Sequence, residues 1–232
     1  MSIKEVNLRN ANLFIEKYIA PKMGGKKINI TTKESSQLMK LIGGFLSALQ
    51  INKRFMTSYI TTIGTTIYFP QNLLDTMDTK RFMEVVIHEC VHAVDEHNNK
   101  LIYKPTYLPE LFFGLPFLIV SIVLFALKLW IAAAVFTFLT LVCLLPVPKP
   151  GRYHWEIRAY AVSLAIAHLF EENRSNVSQI KEWICGQLTG SSYYFTWPFK
   201  DRILKDLEIY PQNIQLYDET VSFFMKDYNG NP

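Results

Sequence analysis

Apolar residues recur at helical spacing over roughly 3–19 and 33–49, which predicts two helices separated by "PKMGGKKINI". The pattern then changes. "FMTSYITTIGTTIYFP" is rich in Thr, Ile and Tyr, carries Gly64 as a turn residue and predicts a β-hairpin ending at Pro70. Helical spacing returns in "DTMDTKRFMEVVIHECVHAVDEHNN", where Phe82, Val85, Val86, Cys90, Ala93 and Val94 form one buried face. Asp78 or Thr79 is placed to cap the start of this helix, and Asn98 with Asn99 to close it. Further on, "RYHWEIRAYAVSLAIAHLFEEN" reads as another helix, followed by shorter ones near 176–188 and 198–208. "SSYYFTWPFK" reads as an aromatic connector between those two. The pattern predicts an α+β chain, mainly helical, with a small sheet ahead of the helix that contains residues 79–98.

One stretch breaks the amphipathic rule. Residues 111–148, "LFFGLPFLIVSIVLFALKLWIAAAVFTFLTLVCLLPVP", contain a single charge, Lys128. As one helix these residues would run ~57 Å, about twice a bilayer's hydrocarbon core. Two arms meeting at Lys128 use the length better, and predict an inserted transmembrane helical hairpin. Lys100 and Lys104 precede it, and Lys149 and Arg152 follow it. The positive-inside rule then puts both termini on the cytoplasmic side, with Trp130 at the far interface. The expected organisation is 1–110, the hairpin 111–148 in contact with the lipid bilayer, and 149–232. The competing expectations are a helical hairpin buried in a soluble protein or docked on a partner protein, and, because Gly114 and Pro116 weaken the first arm, a shallow re-entrant hairpin.

Composition narrows the function classes. The formal charge of +4 comes without a long basic run, which argues against nucleic acid as a partner. Cys90, Cys143 and Cys185 are odd in number with no CxxC pair, so a disulfide framework is not expected and a reducing compartment is. The N-terminal twenty residues lack a continuous apolar core, unlike a signal peptide.

The chemistry concentrates in "IHECVHAV". His88 and His92 lie four apart on a helix, so their imidazoles project the same way from successive turns and can share a metal ion. Glu89 falls beside them, where it reaches a metal-bound water rather than the metal. The competing reading is a helix that happens to carry two histidines. A tetrahedral site needs a third protein ligand. His97 is turned about 140° from His92 and about 180° from His88 on a helix, and faces away. Glu156 is the favoured third ligand, in the first turn of the later helix, with Ala159 small enough for a close approach to the histidine helix. His154 is the rival, about 200° away round the same helix. An acidic residue at Glu156 is also what a helix dipole favours without any metal.

This pairing, HE-x-x-H on one helix and Glu on the next, resembles the gluzincin class of zinc metallopeptidases. "HECVHAVD" with "EIRAYA" is similar to the motifs HE-x-x-H-A-x-D and EIRA of the mitochondrial inner-membrane processing peptidases. The layout resembles the membrane-embedded heat-shock and prenyl-protein peptidases, which place a transmembrane hairpin between HE-x-x-H and E-x-x-A-D; here Tyr160 stands where that Asp would be. The resemblance covers residues 60–100 and 152–170. It implies a zincin-like fold, a Zn²⁺ cofactor held by His88, His92 and Glu156, and peptide-bond hydrolysis with Glu89 as the base. An even number of crossings between His92 and Glu156 would keep both on one side of a membrane.

Asp95, three residues after His92, is a candidate to orient a ligand imidazole from behind. Candidates to stabilise the oxyanion are Tyr153, His154, Tyr160, Tyr193 and Tyr194. The expected activity is a membrane-anchored zinc peptidase acting on protein or peptide substrates at the cytoplasmic face. Two alternatives stand beside it: a membrane-inserting or virion-type structural protein with a vestigial zincin fold, and a soluble metallopeptidase whose apolar hairpin docks on a partner.

Overall fold

The computed structural model describes residues 2–48, 53–144, 148–170, 174–190, 196–209 and 216–228. Helix α1 (Ile3–Phe14) starts at a capping box: Ser2 Oγ accepts from the Glu5 amide and Glu5 accepts from the Ser2 amide. It continues through a π turn (Ile15–Ile19) and a 3₁₀ turn (Ala20–Met23), burying Phe14, Ile15 and Ile19. Gly24, with φ at +64°, ends it.

Strand β1 (Asn29–Thr32) comes next, then helices α2 (Gln37–Ala48) and α3 (Phe55–Ser58), and the expected hairpin of β2 (Thr61–Ile63) and β3 (Thr66–Phe69). Gly64 turns that hairpin with φ at +60°. The sheet has the order β1–β3–β2, with β1 parallel and β2 antiparallel to β3. Strand β2 is therefore an edge. Ile67 and Phe69 are fully buried, and the Phe69 ring stacks on Phe82 at 5.1 Å, fixing the sheet against the histidine helix.

After α4 (Gln71–Thr76) comes that helix, α5 (Thr79–Asn98), capped by Asp78, whose carboxylate accepts from the Arg81 amide at 2.9 Å. Asn99 closes it by donating its amide to Asp95 O at 2.9 Å. A short α6 (Tyr103–Tyr107) and a π turn (Glu110–Gly114) lead into α7 (Leu115–Ala126) and α8 (Trp130–Leu144). The chain then returns as α9 (Pro150–Phe170), α10 (Arg174–Thr189), α11 (Lys200–Ile209) and α12 (Tyr217–Lys226). Helix α9 packs along α5, with Ala93 and Ala159 both buried. Phe223 of α12 closes the core against Phe14, their ring centroids 5.2 Å apart.

The apolar run does fold as two helices, but not as membrane crossings. Among the described residues, no helix is long and apolar enough to cross a membrane. The run breaks at Lys128, which takes a left-handed φ of 60°, leaving arms of 12 and 15 helical residues. At 1.5 Å per residue these reach about 18 and 22 Å, short of the ~30 Å hydrocarbon core. The integral-membrane placement, with termini and active site assigned to the cytoplasmic face, is overturned with it. The seam between α7 and α8 carries one polar contact, where Ser121 Oγ donates to Ala133 O at 3.0 Å and lies 2.6 Å from the Thr137 hydroxyl, beside the packed rings of Phe117 and Phe136. The large side chains, among them Ile119, Ile122, Phe125, Ile131 and Phe138, are exposed on the outside.

Candidate metal centre

His88 and His92 leave successive turns of α5 toward α9, where Glu156 meets them. Glu156 is 1% exposed, His92 5% and His88 9%. Glu156 Oε2 lies 3.7 Å from His88 Nε2 and 3.7 Å from His92 Nε2. One ligand atom from each of the three residues falls within 4.8 Å of the others. In a tetrahedral site with bonds of about 2.1 Å the ligand atoms stand ~3.4 Å apart, so this cluster is the right size for a metal ion.

The donor set also has the vacancy in hydrogen bonding that a metal would fill. Glu156 Oε2 is buried and, among the described residues, without a hydrogen-bond partner, a costly arrangement for a carboxylate oxygen unless something positive occupies the space it faces. Its other oxygen, Oε1, accepts a hydrogen bond from Tyr107. Burial disfavours charge on Glu156, yet His92 and His88 outweigh it and hold the carboxyl well below the ordinary carboxylate value. Burial likewise disfavours charge on His92, and Glu156 overrides it, raising the imidazole above its usual 6.5.

Glu89 follows His88 on α5 and, like it, lines a cleft beside the cluster. Its Oε2 accepts from Thr62 Oγ1 on the edge strand at 2.6 Å, which ties the carboxylate to the sheet. His88 and Glu89 form part of the wall of this cleft of about 640 Å³, which Tyr59, Tyr160 and Trp183 also line. The Tyr160 ring stands edge-on to His88 at 4.7 Å. Ser163 Oγ lies 3.4 Å from His88 Nδ1 and donates to Ala159 O at 3.3 Å.

The remaining candidates separate. Asp95 does not reach an imidazole: its carboxylate receives a two-point fork from Arg158, Nε at 3.0 Å and a terminal nitrogen at 2.9 Å. Tyr153 donates to Asp206 at 2.8 Å and lines, with His154, a separate cavity of about 480 Å³. Neither joins the ligand cluster, nor does the half-buried His97. Tyr193 and Tyr194 lie outside the described residues. Of the oxyanion candidates, Tyr160 is the one that the described residues place in the cleft.

No protein-family model, curated protein or solved structure matches this chain. The functional reading therefore rests on the residues and their geometry.

Two contributors escaped the sequence pattern. Tyr107 sits in "KPTYLP", which carries the signature of a loop, and Thr62 is one of several threonines in the hairpin. No signal in the sequence set Thr62 apart from the other threonines of the hairpin; its role shows only in its hydrogen bond to Glu89.

Proposed function

We propose that this chain is a zinc-dependent metallopeptidase of gluzincin type, with a zincin-like core formed by the sheet, α5 and α9. The observation that carries the reading is the convergence of His88, His92 and Glu156 on one point, with Glu89 beside it at the wall of a cleft. Two imidazoles and one carboxylate, with a fourth position left open, make the donor set of catalytic rather than structural zinc. Bound zinc supplies Lewis acidity, polarising a carbonyl oxygen and lowering the pKa of water to about 7.

The chain's own residues do the rest. Glu89 takes the proton of the attacking water and returns it to the leaving amine. Thr62 holds Glu89 Oε2, so the proton is carried on Oε1. The free edge of β2 runs beside Glu89 and suits an extended peptide, whose main-chain groups pair with it as an added strand. Tyr160 stands at the cleft wall to donate to the oxyanion.

The deciding experiment measures metal content and peptide cleavage on the same preparations of wild type, Glu156→Ala and Glu89→Gln. About one zinc per chain is expected in the wild type. Glu156→Ala is expected to lose the metal, and Glu89→Gln to keep it while losing activity. A wild type that takes up no zinc, or that selects iron instead, overturns the reading.

A further inference from the structure

The two oxygens of Glu156 stand in different surroundings. A carboxylate free to turn ligates a metal through one oxygen or through both, and the second mode adds a ligand that crowds the position a water needs. Here Oε1 is engaged by the Tyr107 hydroxyl, whereas Oε2 has no hydrogen-bond partner among the described residues and faces the two imidazoles at 3.7 Å. We infer that Tyr107 is a positioning residue: its hydrogen bond restricts Glu156 to one-oxygen ligation and so keeps the fourth place open. The inference deepens the metallopeptidase reading and rests on it.

The hydroxyl is not a chance neighbour, because α6 is fastened on several sides. Trp155 Nε1 donates to Thr106 Oγ1 at 2.9 Å, and Arg152 Nε donates to the Tyr107 carbonyl at 2.9 Å. The Tyr107 ring stacks on Tyr103, 5.3 Å away and 8° from parallel, and stands edge-on to His92 at 5.4 Å. Gly151 permits this closeness: a Cβ there would meet Thr106 Cβ at 2.6 Å and Thr106 O at 2.7 Å. The ring is locked by packing, so its hydroxyl stays on Oε1 without support from a metal.

The test uses the full chain and Tyr107→Phe, which keeps the ring packing and removes only the hydroxyl. Both are loaded with Co²⁺, whose visible bands are intense in four-coordinate sites and weaken when a fifth ligand enters. The wild type is expected to give the four-coordinate spectrum. Tyr107→Phe is expected to show weakened bands, to bind Zn²⁺ about tenfold more loosely or worse, and to lose kcat with KM little changed. An unchanged spectrum and affinity in Tyr107→Phe overturns the role of Tyr107 and leaves the metal centre intact. A wild type that binds neither Co²⁺ nor Zn²⁺ removes the underlying reading instead. Should Tyr107→Phe fail to fold, Gly151→Ala keeps the hydroxyl but pushes α6 away from α9. Weakened Co²⁺ bands in that variant support the inference, and wild-type bands overturn it.

Discussion

Arg158 grips both oxygens of Asp95, and the fork joins α5 to α9 close to the candidate metal cluster. Asp95 lies three residues beyond His92 and Arg158 two beyond Glu156, so the pair sets the register of α5 against α9. With Asp95 3% exposed, loss of either partner leaves a largely desolvated charge unpaired.

Asp95→Ala and Arg158→Ala are each expected to cost about 2–3 kcal/mol, somewhat below a fully buried pair because Arg158 keeps partial contact with water. The double variant is expected to lose less than the sum of the two. Chemical denaturation of all four proteins gives the coupling directly; additive losses would mean that the fork holds nothing together.

In the metal-free protein the Glu156–His92 pair should contribute most to stability in mildly acidic solution. Glu156 is depressed in the fold, so its contribution is present above the ordinary carboxyl value of 4.5 and fades as pH falls toward the folded value. His92 is raised, so its contribution is full below 6.5 and fades as pH climbs through the folded value. The pair is therefore most stabilising between 4.5 and 6.5. Metal binding needs neutral His92 and runs the other way. Melting curves of chelated protein are expected to fall from pH 6 to pH 8.5 through this pair, while the increment added by Zn²⁺ grows. Glu156→Gln should flatten the first trend, and a trend that persists unchanged in it would have another origin.

Thr62→Val removes the 2.6 Å hydrogen bond to Glu89 and nothing from the metal ligands. Zinc content is expected to stay at the wild-type level, and kcat to fall about tenfold with KM nearly constant, the scale typical of groups that orient a reacting residue. Steady-state kinetics beside metal analysis checks this; a loss of zinc would mean that Thr62 supports the ligands instead.

Lys33 is fully buried, with Nζ donating to Phe55 O at 2.7 Å and lying over the Phe55 ring. Burial brings its pKa down to about 8 from 10.5. Between those values the unfolded chain holds a proton that the fold does not, so this residue makes the protein more stable as pH rises from 8 toward 10.5. Lys33→Met is expected to abolish that rise. Urea midpoints of both proteins at pH 8 and pH 10 decide it.

Local signals were strong where one segment carried the whole pattern. The β-hairpin announced itself through alternating Thr, Ile and Tyr around Gly64, and the histidine helix through its caps and apolar face. Glu156 was readable because helix periodicity separates it from His154. Strand β1 was not, because its parallel partner begins at Thr66 and nothing within Asn29–Thr32 announces a distant pairing. Asp95 was misassigned for a related reason: spacing from His92 says which turn it occupies, but not that Arg158 arrives from another helix to claim it. The break at Lys128 was legible as the one charge in the apolar run, but the loss of Glu110–Gly114 to a π turn was not, and it leaves α-helical arms of only 12 and 15 residues.

At the root of the apolar hairpin, Glu110 joins Lys149 and Arg152, and the same Arg152 donates to the Tyr107 carbonyl. One guanidinium thus connects the stem of α7 and α8 to the helix whose tyrosine touches Glu156. The greasy outer surface and the metal ligands are mechanically adjacent, although they look like separate parts. Glu110, Arg152 and Tyr107 form an unbroken chain of contacts from the root of the hairpin to Glu156.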